Sequence, residues 1–159
     1  MSGKLKDRIA LVTGAGQGVG LGIARRLHAD GATVVIAEFD PTTGQAAADS
    51  LQRADFVKTG ITQKAEAVVA VEFALGKYGQ LDILVNNAYP TGARPSRLEA
   101  RTDEELQHGF DGACMSAWWT MQAAFPAMQQ NHWGRIINIA SLNGVNAHPY
   151  TVEYNVGKE

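Results

Sequence analysis

An open α/β fold around a doubly wound parallel sheet is what this sequence predicts, on three observations. Short apolar runs alternate with longer helix-patterned stretches from one end of the 159 residues to the other. The strand-like runs are apolar at consecutive positions, as in sheets covered on both faces. The chain carries 17 glycines, about 11% against an average near 7%, and the densest group follows the first strand-like run. Strands alternating with helices form right-handed crossovers and hence a parallel sheet.

The elements follow in order. Residues 8–13 (R-I-A-L-V-T) read as a buried strand, and 19–30 place Leu21, Ile23, Ala24 and Leu27 on one helical side. Residues 33–37 (T-V-V-I-A) read as a second strand, with a helix over 42–51 opened by Pro41. A weak strand at 55–58 precedes a helix over 63–78, where Val68, Val71 and Leu75 recur at helical spacing. Residues 81–86 (L-D-I-L-V-N) form the fourth strand and 135–141 (R-I-I-N-I-A-S) the fifth. Between them 102–130 reads as one long helix, with Asp103, Glu104 and Glu105 at its positive end. Neither a repeat nor a linker interrupts the pattern, so 1–159 reads as one domain.

Composition narrows the function. Fourteen basic and 16 acidic side chains leave a formal charge of −2, without the basic patch of a nucleic-acid binder. Hydrophobic residues at 45% and charged residues at 19% describe an ordinary globular protein. The single cysteine, Cys114, excludes an internal disulfide framework and any cysteine-built zinc site. His28, His108, His132 and His148 show no ligand spacing, so no metal is expected. No apolar stretch approaches the ~18 residues of a membrane span, and the run behind Met1 is too short for a signal peptide. A soluble, cytoplasmic protein is the expectation.

Thr13-Gly14-Ala15-Gly16-Gln17-Gly18-Val19-Gly20 joins the first strand to the first helix. Glycine there opens backbone angles closed to other residues, and amides at a helix start favour an anion. Strict G-x-G-x-x-G spacing fails at Val19, and no Gly-Lys-Ser/Thr follows. What fits is T-G-x-x-x-G-x-G at Thr13, Gly14, Gly18 and Gly20, a pattern that alone also suits a structural turn. Glu38 ends the second strand, 18 residues beyond Gly20. It is either a solvated strand-end acid or the acceptor for the ribose hydroxyls of NAD, where it would repel a 2′-phosphate. No Arg or Lys stands beside it, and Ala15 and Gln17 are uncharged, so NAD is favoured over NADP.

Tyr154 and Lys158 form Y-x-x-x-K, an i, i+4 pair on one helix face. An ammonium beside a phenol favours the phenolate and prepares it for proton transfer near neutral pH, although the pair alone also describes an ordinary surface. Ser141 lies 13 residues upstream, just after the fifth strand, where open sheets place their ligands.

Taken in order, Thr13-Gly14-x-x-x-Gly18-x-Gly20, Asn86-Asn87-Ala88, Ser141 and Tyr154-x-x-x-Lys158 resemble the short-chain dehydrogenase/reductase family along the whole chain. The resemblance implies a Rossmann-like domain that transfers a hydride between NAD and a secondary alcohol or ketone. Tyr154 would be the general acid/base, Ser141 would hydrogen-bond the reacting oxygen, and Lys158 would hold the nicotinamide ribose. Gly14, Gln17, Gly18, Val19, Gly20, Glu38, Ile61, Asn87 and Ala88 would line the cofactor, with Asn86 tying neighbouring strands together. A homo-oligomer is expected, since the family pairs the long helix, here bearing Trp118 and Trp119, with its copy. Segments 90–97 and 143–150 would either line the substrate mouth or be ordinary loops.

Four departures from the family pattern qualify this. Tyr89 replaces the glycine after Asn86-Asn87-Ala88 and is expected to narrow the cleft. Gly60-Ile61-Thr62 lacks the acidic residue usual against adenine, leaving Ile61 to pack. Ala113 stands at the family's helical asparagine, which normally supports a water relay from the lysine. The sequence also stops at Glu159, where the family continues through further strands. On that basis the C-terminal strands are missing, Lys158 lies in a frayed turn and strand five is an open edge. The competing reading is a dinucleotide-binding module without turnover.

Overall fold

The computed structural model describes residues 3–90, 92 and 94–159. Five parallel strands, β1 (Ile9–Thr13), β2 (Thr33–Glu38), β3 (Ala54–Lys58), β4 (Ile83–Asn86) and β5 (Arg135–Asn138), lie in the order β3-β2-β1-β4-β5. Helices α1 (Gly18–Ala29), α2 (Pro41–Asp49), α3 (Lys64–Tyr78), α4 (Asp103–Phe110), α5 (Ser116–Gln130), α6 (Leu142–Asn146) and α7 (Val152–Lys158) connect or follow them. The predicted doubly wound parallel sheet is therefore the observed fold.

Alternation along the strands builds two cores. Ile9, Leu11, Val35, Ala37 and Leu84 face α3 and α5 through Ala70, Val71, Ala74, Ala124 and Met128. Ala10, Val12, Val34, Ile36, Ile83 and Val85 face the other side, against Ala24 of α1 and Ala47 and Ala48 of α2. All five residues of β1 are buried, which is why its sequence is a continuous apolar run. Each fully buried Leu or Val of this kind contributes roughly 1.5–3 kcal/mol. β5 sits at the sheet edge, mostly exposed.

Local chemistry sets the helix ends. Asp40 caps α2 by accepting the Thr42 N–H at 2.8 Å, with Pro41 in the first turn. Gly79 closes α3 in the left-handed conformation at φ 71. Thr102 and Glu105 form a reciprocal capping box that opens α4. At the N-terminal rim of the sheet, buried Asp82 accepts from Arg8 at 2.7 Å, from the Ile9 N–H at 2.8 Å and from Gln80 at 3.0 Å. That satisfied carboxylate serves the fold, far along the strands from the opposite rim.

Three expectations are corrected. The helix expected over 102–130 is two helices joined by a π-helical turn, Asp111–Met115. Small residues at 109, 112 and 113 let neighbours approach there. A Cβ on Gly112 would come within 2.4 Å of Pro90, and one on Gly109 within 2.9 Å of Glu153. Periodicity alone does not register the widened turn. The fifth strand stops at Asn138 instead of 141, and part of the segment read as a loop over 143–150 forms α6, which Ser141 caps. No helix among the described residues is long and apolar enough to cross a membrane.

Candidate active site

At the rim formed by the C-terminal strand ends, the chain changes direction between β1 and β4, the point at which open α/β sheets leave a crevice. The glycine loop lies there. Gly14 and Gly18 adopt φ of 62 and 57, angles that disfavour a side chain. A Cβ added at Gly18 meets nothing within 4 Å, so the space above the start of α1 is open. Gln17, the N-cap, makes no side-chain capping bond. Exposed Val19 follows it in the first turn of α1. Uncapped amides at the positive end of a helix, facing open space, suit the pyrophosphate of a dinucleotide.

Glu38, at the end of β2, is tied to that loop. Its Oε2 accepts the Gly16 N–H at 2.9 Å and its Oε1 accepts the Phe39 N–H at 2.8 Å. Oε1 also accepts the Asp40 N–H at 3.4 Å, and an ionised carboxylate has about four acceptor sites, so capacity remains for a ribose hydroxyl. Ile61 is half-buried in the turn after β3, and the Thr59 N–H donates to the Glu38 carbonyl at 2.9 Å, which sets that turn beside Glu38.

The turn after β4 is stitched to the glycine loop. Asn87 Nδ2 donates to the carbonyls of Thr13 at 2.9 Å and Gly14 at 3.2 Å. Thr13 Oγ1 accepts the amides of Asn87 at 3.0 Å and Ala88 at 3.1 Å. One residue earlier, Asn86 donates to Asn138 Oδ1 at 2.9 Å and accepts from Thr120 at 2.7 Å, linking β4, β5 and α5.

Tyr154 and Lys158 lie four residues apart on α7. The Lys158 ammonium donates to the carbonyls of Ile139 at 3.1 Å and Asn87 at 3.3 Å, so it is anchored between the ends of β4 and β5. Lys158 is the last residue of α7, in its final turn as expected. Burial moves its pKa below the ordinary lysine value. Ser141 Oγ accepts the Asn143 N–H at 3.2 Å, which leaves its hydroxyl proton to donate.

Tyr89 packs directly against the Tyr154 ring and lines the cavity beside it. Its ring meets the Tyr154 ring edge-on, with centroids 4.6 Å apart at 74°, and its hydroxyl is buried in the seam beside Gly109 and Glu153. Burial, then the charge of Glu153, pushes the Tyr89 phenol up to about 12. Ala113 belongs to the same seam, where a Cβ on Gly157 would come within 2.8 Å of the Ala113 Cβ. That close approach of α7 leaves little room for a larger residue at 113.

A family model described as short chain dehydrogenase matches residues 8–159. The chain belongs to the short chain dehydrogenase family. It is 32% identical over 158 residues to the uncharacterized oxidoreductase YxjF of Bacillus subtilis (strain 168), covering 97% of this chain and 61% of that protein. It is 35% identical over 157 residues to the uncharacterized oxidoreductase MW2403 of Staphylococcus aureus (strain MW2), covering 97% and 67%. Among solved structures it is similar to the 3-ketoacyl-(acyl-carrier-protein) reductase of Brucella melitensis complexed with NADH. That likeness has a TM-score of 0.91 at 32% identity and covers 98% of this chain and 65% of that one. The chain thus spans just under two thirds of the Brucella chain and about three fifths of the Bacillus relative.

Two residues beside the short chain dehydrogenase motifs escaped the sequence reading. Arg101 and Glu153 form a buried ion pair at 3.1 Å next to Tyr154. Only the position of Glu153, adjacent to that tyrosine, hinted at it.

Proposed function

We propose that this chain carries the cofactor and proton-transfer half of an NAD(H)-dependent oxidoreductase that interconverts a secondary alcohol and a ketone. The observation that carries the reading is the Lys158 ammonium lodged between the carbonyls of Asn87 and Ile139. Asn87 is itself bonded to Gly14, so one residue links the Tyr154 helix to the glycine loop. Family membership and the NADH named with the Brucella structure support a nicotinamide cofactor.

The residues divide the work as follows. Gly14, Gln17, Gly18, Val19 and Gly20 receive the pyrophosphate, Glu38 the adenosine ribose, and Ile61, Asn87 and Ala88 flank the remainder. Lys158 has a third N–H to offer the nicotinamide ribose. Bound there, the dinucleotide supplies the acceptor or donor of the hydride. Tyr154 takes the proton from the alcohol oxygen in one direction and returns it to the ketone oxygen in the other. Ser141 donates its hydroxyl proton to that same oxygen and orients it. Reduced-nicotinamide absorbance during incubation with a panel of secondary alcohols tests the reading. Cofactor binding without absorbance change on any substrate would favour a binding module instead.

NAD should bind at least several-fold more tightly than NADP. Glu38 is held against Gly16, where a 2′-phosphate would meet its negative charge. Calorimetry with both cofactors checks this, and equal affinities would remove Glu38 from the role. The reading also places the protein in the cytoplasm, where the exposed thiol of Cys114 is stable. It includes a homo-oligomer, with exposed Trp118 and Phe125 of α5 offering an apolar face to a second copy. Sedimentation velocity should find a dimer or larger, and a monomer at micromolar concentration would reject that part.

A further inference from the structure

The start of α7 is held by one guanidinium. Arg101, its side chain only 6% exposed, places Nη2 3.1 Å from Glu153 Oε1. The same nitrogen donates to the carbonyl of Tyr150 at 3.3 Å and to the carbonyl of Arg94. The Ser96 N–H adds a bond to the Tyr150 carbonyl at 3.0 Å. Segment 94–101 is thereby fastened to the two positions that lead into Tyr154, one of them Tyr150 at a positive φ of 68. Across the seam, Gly109 admits both the Glu153 side chain and the Tyr89 hydroxyl, and Tyr89 in turn braces the Tyr154 ring.

Stability alone does not account for this cluster. Replacing a buried ion pair by apolar residues of similar volume is often neutral or stabilising, because desolvation of the charges offsets their attraction. Tyr89 OH, Arg101 Nε and Glu153 Oε2 are also buried without a hydrogen-bond partner among the described residues. Their residues line, with Pro90, Glu105 and His108, a cavity of about 220 Å3. What the pair supplies over an apolar contact is direction. The guanidinium Nη2 reaches a carboxylate and two carbonyls at once, which draws three stretches of chain to one point.

We propose that Arg101 is a positioning residue for Tyr154, acting through Glu153, so that docking of segment 94–101 and placement of the tyrosine are one event. The proposal rests on the proton-transfer role of Tyr154 given above. Segment 94–101 includes residues 94–97 of the expected substrate mouth, so the seating of that segment and the alignment of the proton donor are linked.

The test compares the parent chain with the double variant Arg101→Met/Glu153→Leu, which removes both charges while keeping the volume, and with Arg101→Lys, which keeps the charge without the fork. The double variant should melt within a few degrees of the parent and bind cofactor with unchanged affinity. Its kcat should fall by about 10- to 100-fold, the scale of a sub-ångström to 1 Å misplacement, and its α7 amides should exchange at least tenfold faster. Arg101→Lys should recover only part of the loss. A double variant with parental kcat and parental α7 exchange would overturn the proposal. If the parent oxidises none of the alcohols, the role of Tyr154 fails separately and exchange alone decides. Faster α7 exchange would then uphold the docking, and unchanged exchange would reject it.

Discussion

Tyr154→Phe should lower kcat by between about 100-fold and 10,000-fold, the range that general acid–base catalysis contributes, while cofactor affinity stays nearly intact. The structure makes this a clean substitution. The Tyr154 ring contributes an edge-on contact with Tyr89 at 4.6 Å, and phenylalanine preserves it. The neighbouring Lys158 bonds to backbone carbonyls of Asn87 and Ile139, so its placement does not depend on the phenol oxygen. Only the transferable proton is lost, and the damage belongs in kcat rather than in binding. Steady-state kinetics on whichever alcohol is turned over, with calorimetry for the cofactor, provides the check. Retention of substantial activity would assign the proton to another group.

Gly20→Ala should weaken NAD binding by at least about 100-fold without unfolding the protein. A methyl at this position would lie 2.2 Å from the Gly14 carbonyl oxygen and 2.6 Å from Asn87 Nδ2. Neither can retreat cheaply. Gly14 is fixed by its N–H bond to the Ala37 carbonyl at 2.8 Å, and Asn87 Nδ2 is bonded to Thr13 and Gly14. The loop itself must move, and with it the amides proposed for the pyrophosphate, whereas the two cores lie elsewhere. Gly22→Ala is the control, since an added Cβ there meets nothing within 4 Å. In an exposed helical position it should stabilise the fold by about 0.5–1 kcal/mol and leave affinity unchanged. Parental affinity in Gly20→Ala would mean that the glycine loop is not the cofactor site.

Backbone chemistry that acts over a few residues was legible in the sequence. Apolar runs at 8–13, 33–37 and 81–86 announced strands buried on both faces, and Pro41 and Thr102 marked helix starts, because burial and capping are local demands. The glycines around Gly14–Gly20 pointed to a backbone that must approach its neighbours, and the structure supplies the neighbours, Gly14 and Asn87. The fold class and the family pattern followed from such local signals taken in order. Side-chain destinations did not. That the Tyr89 hydroxyl reaches into the α4–α7 seam depends on Gly109 being small twenty residues later. Lys158 is anchored by carbonyls 19 and 71 residues away, and periodicity carries no record of them. The Arg101–Glu153 pair spans 52 positions, and the π turn at Asp111–Met115 occurs where Pro90 and α7 press on small residues. The sequence by itself determined the sheet, its crossovers and the glycine turn, because those answer to the chemistry of adjacent residues. Only the tertiary structure decided how the tyrosine and lysine are held, because that geometry is made by contacts between segments far apart in the chain.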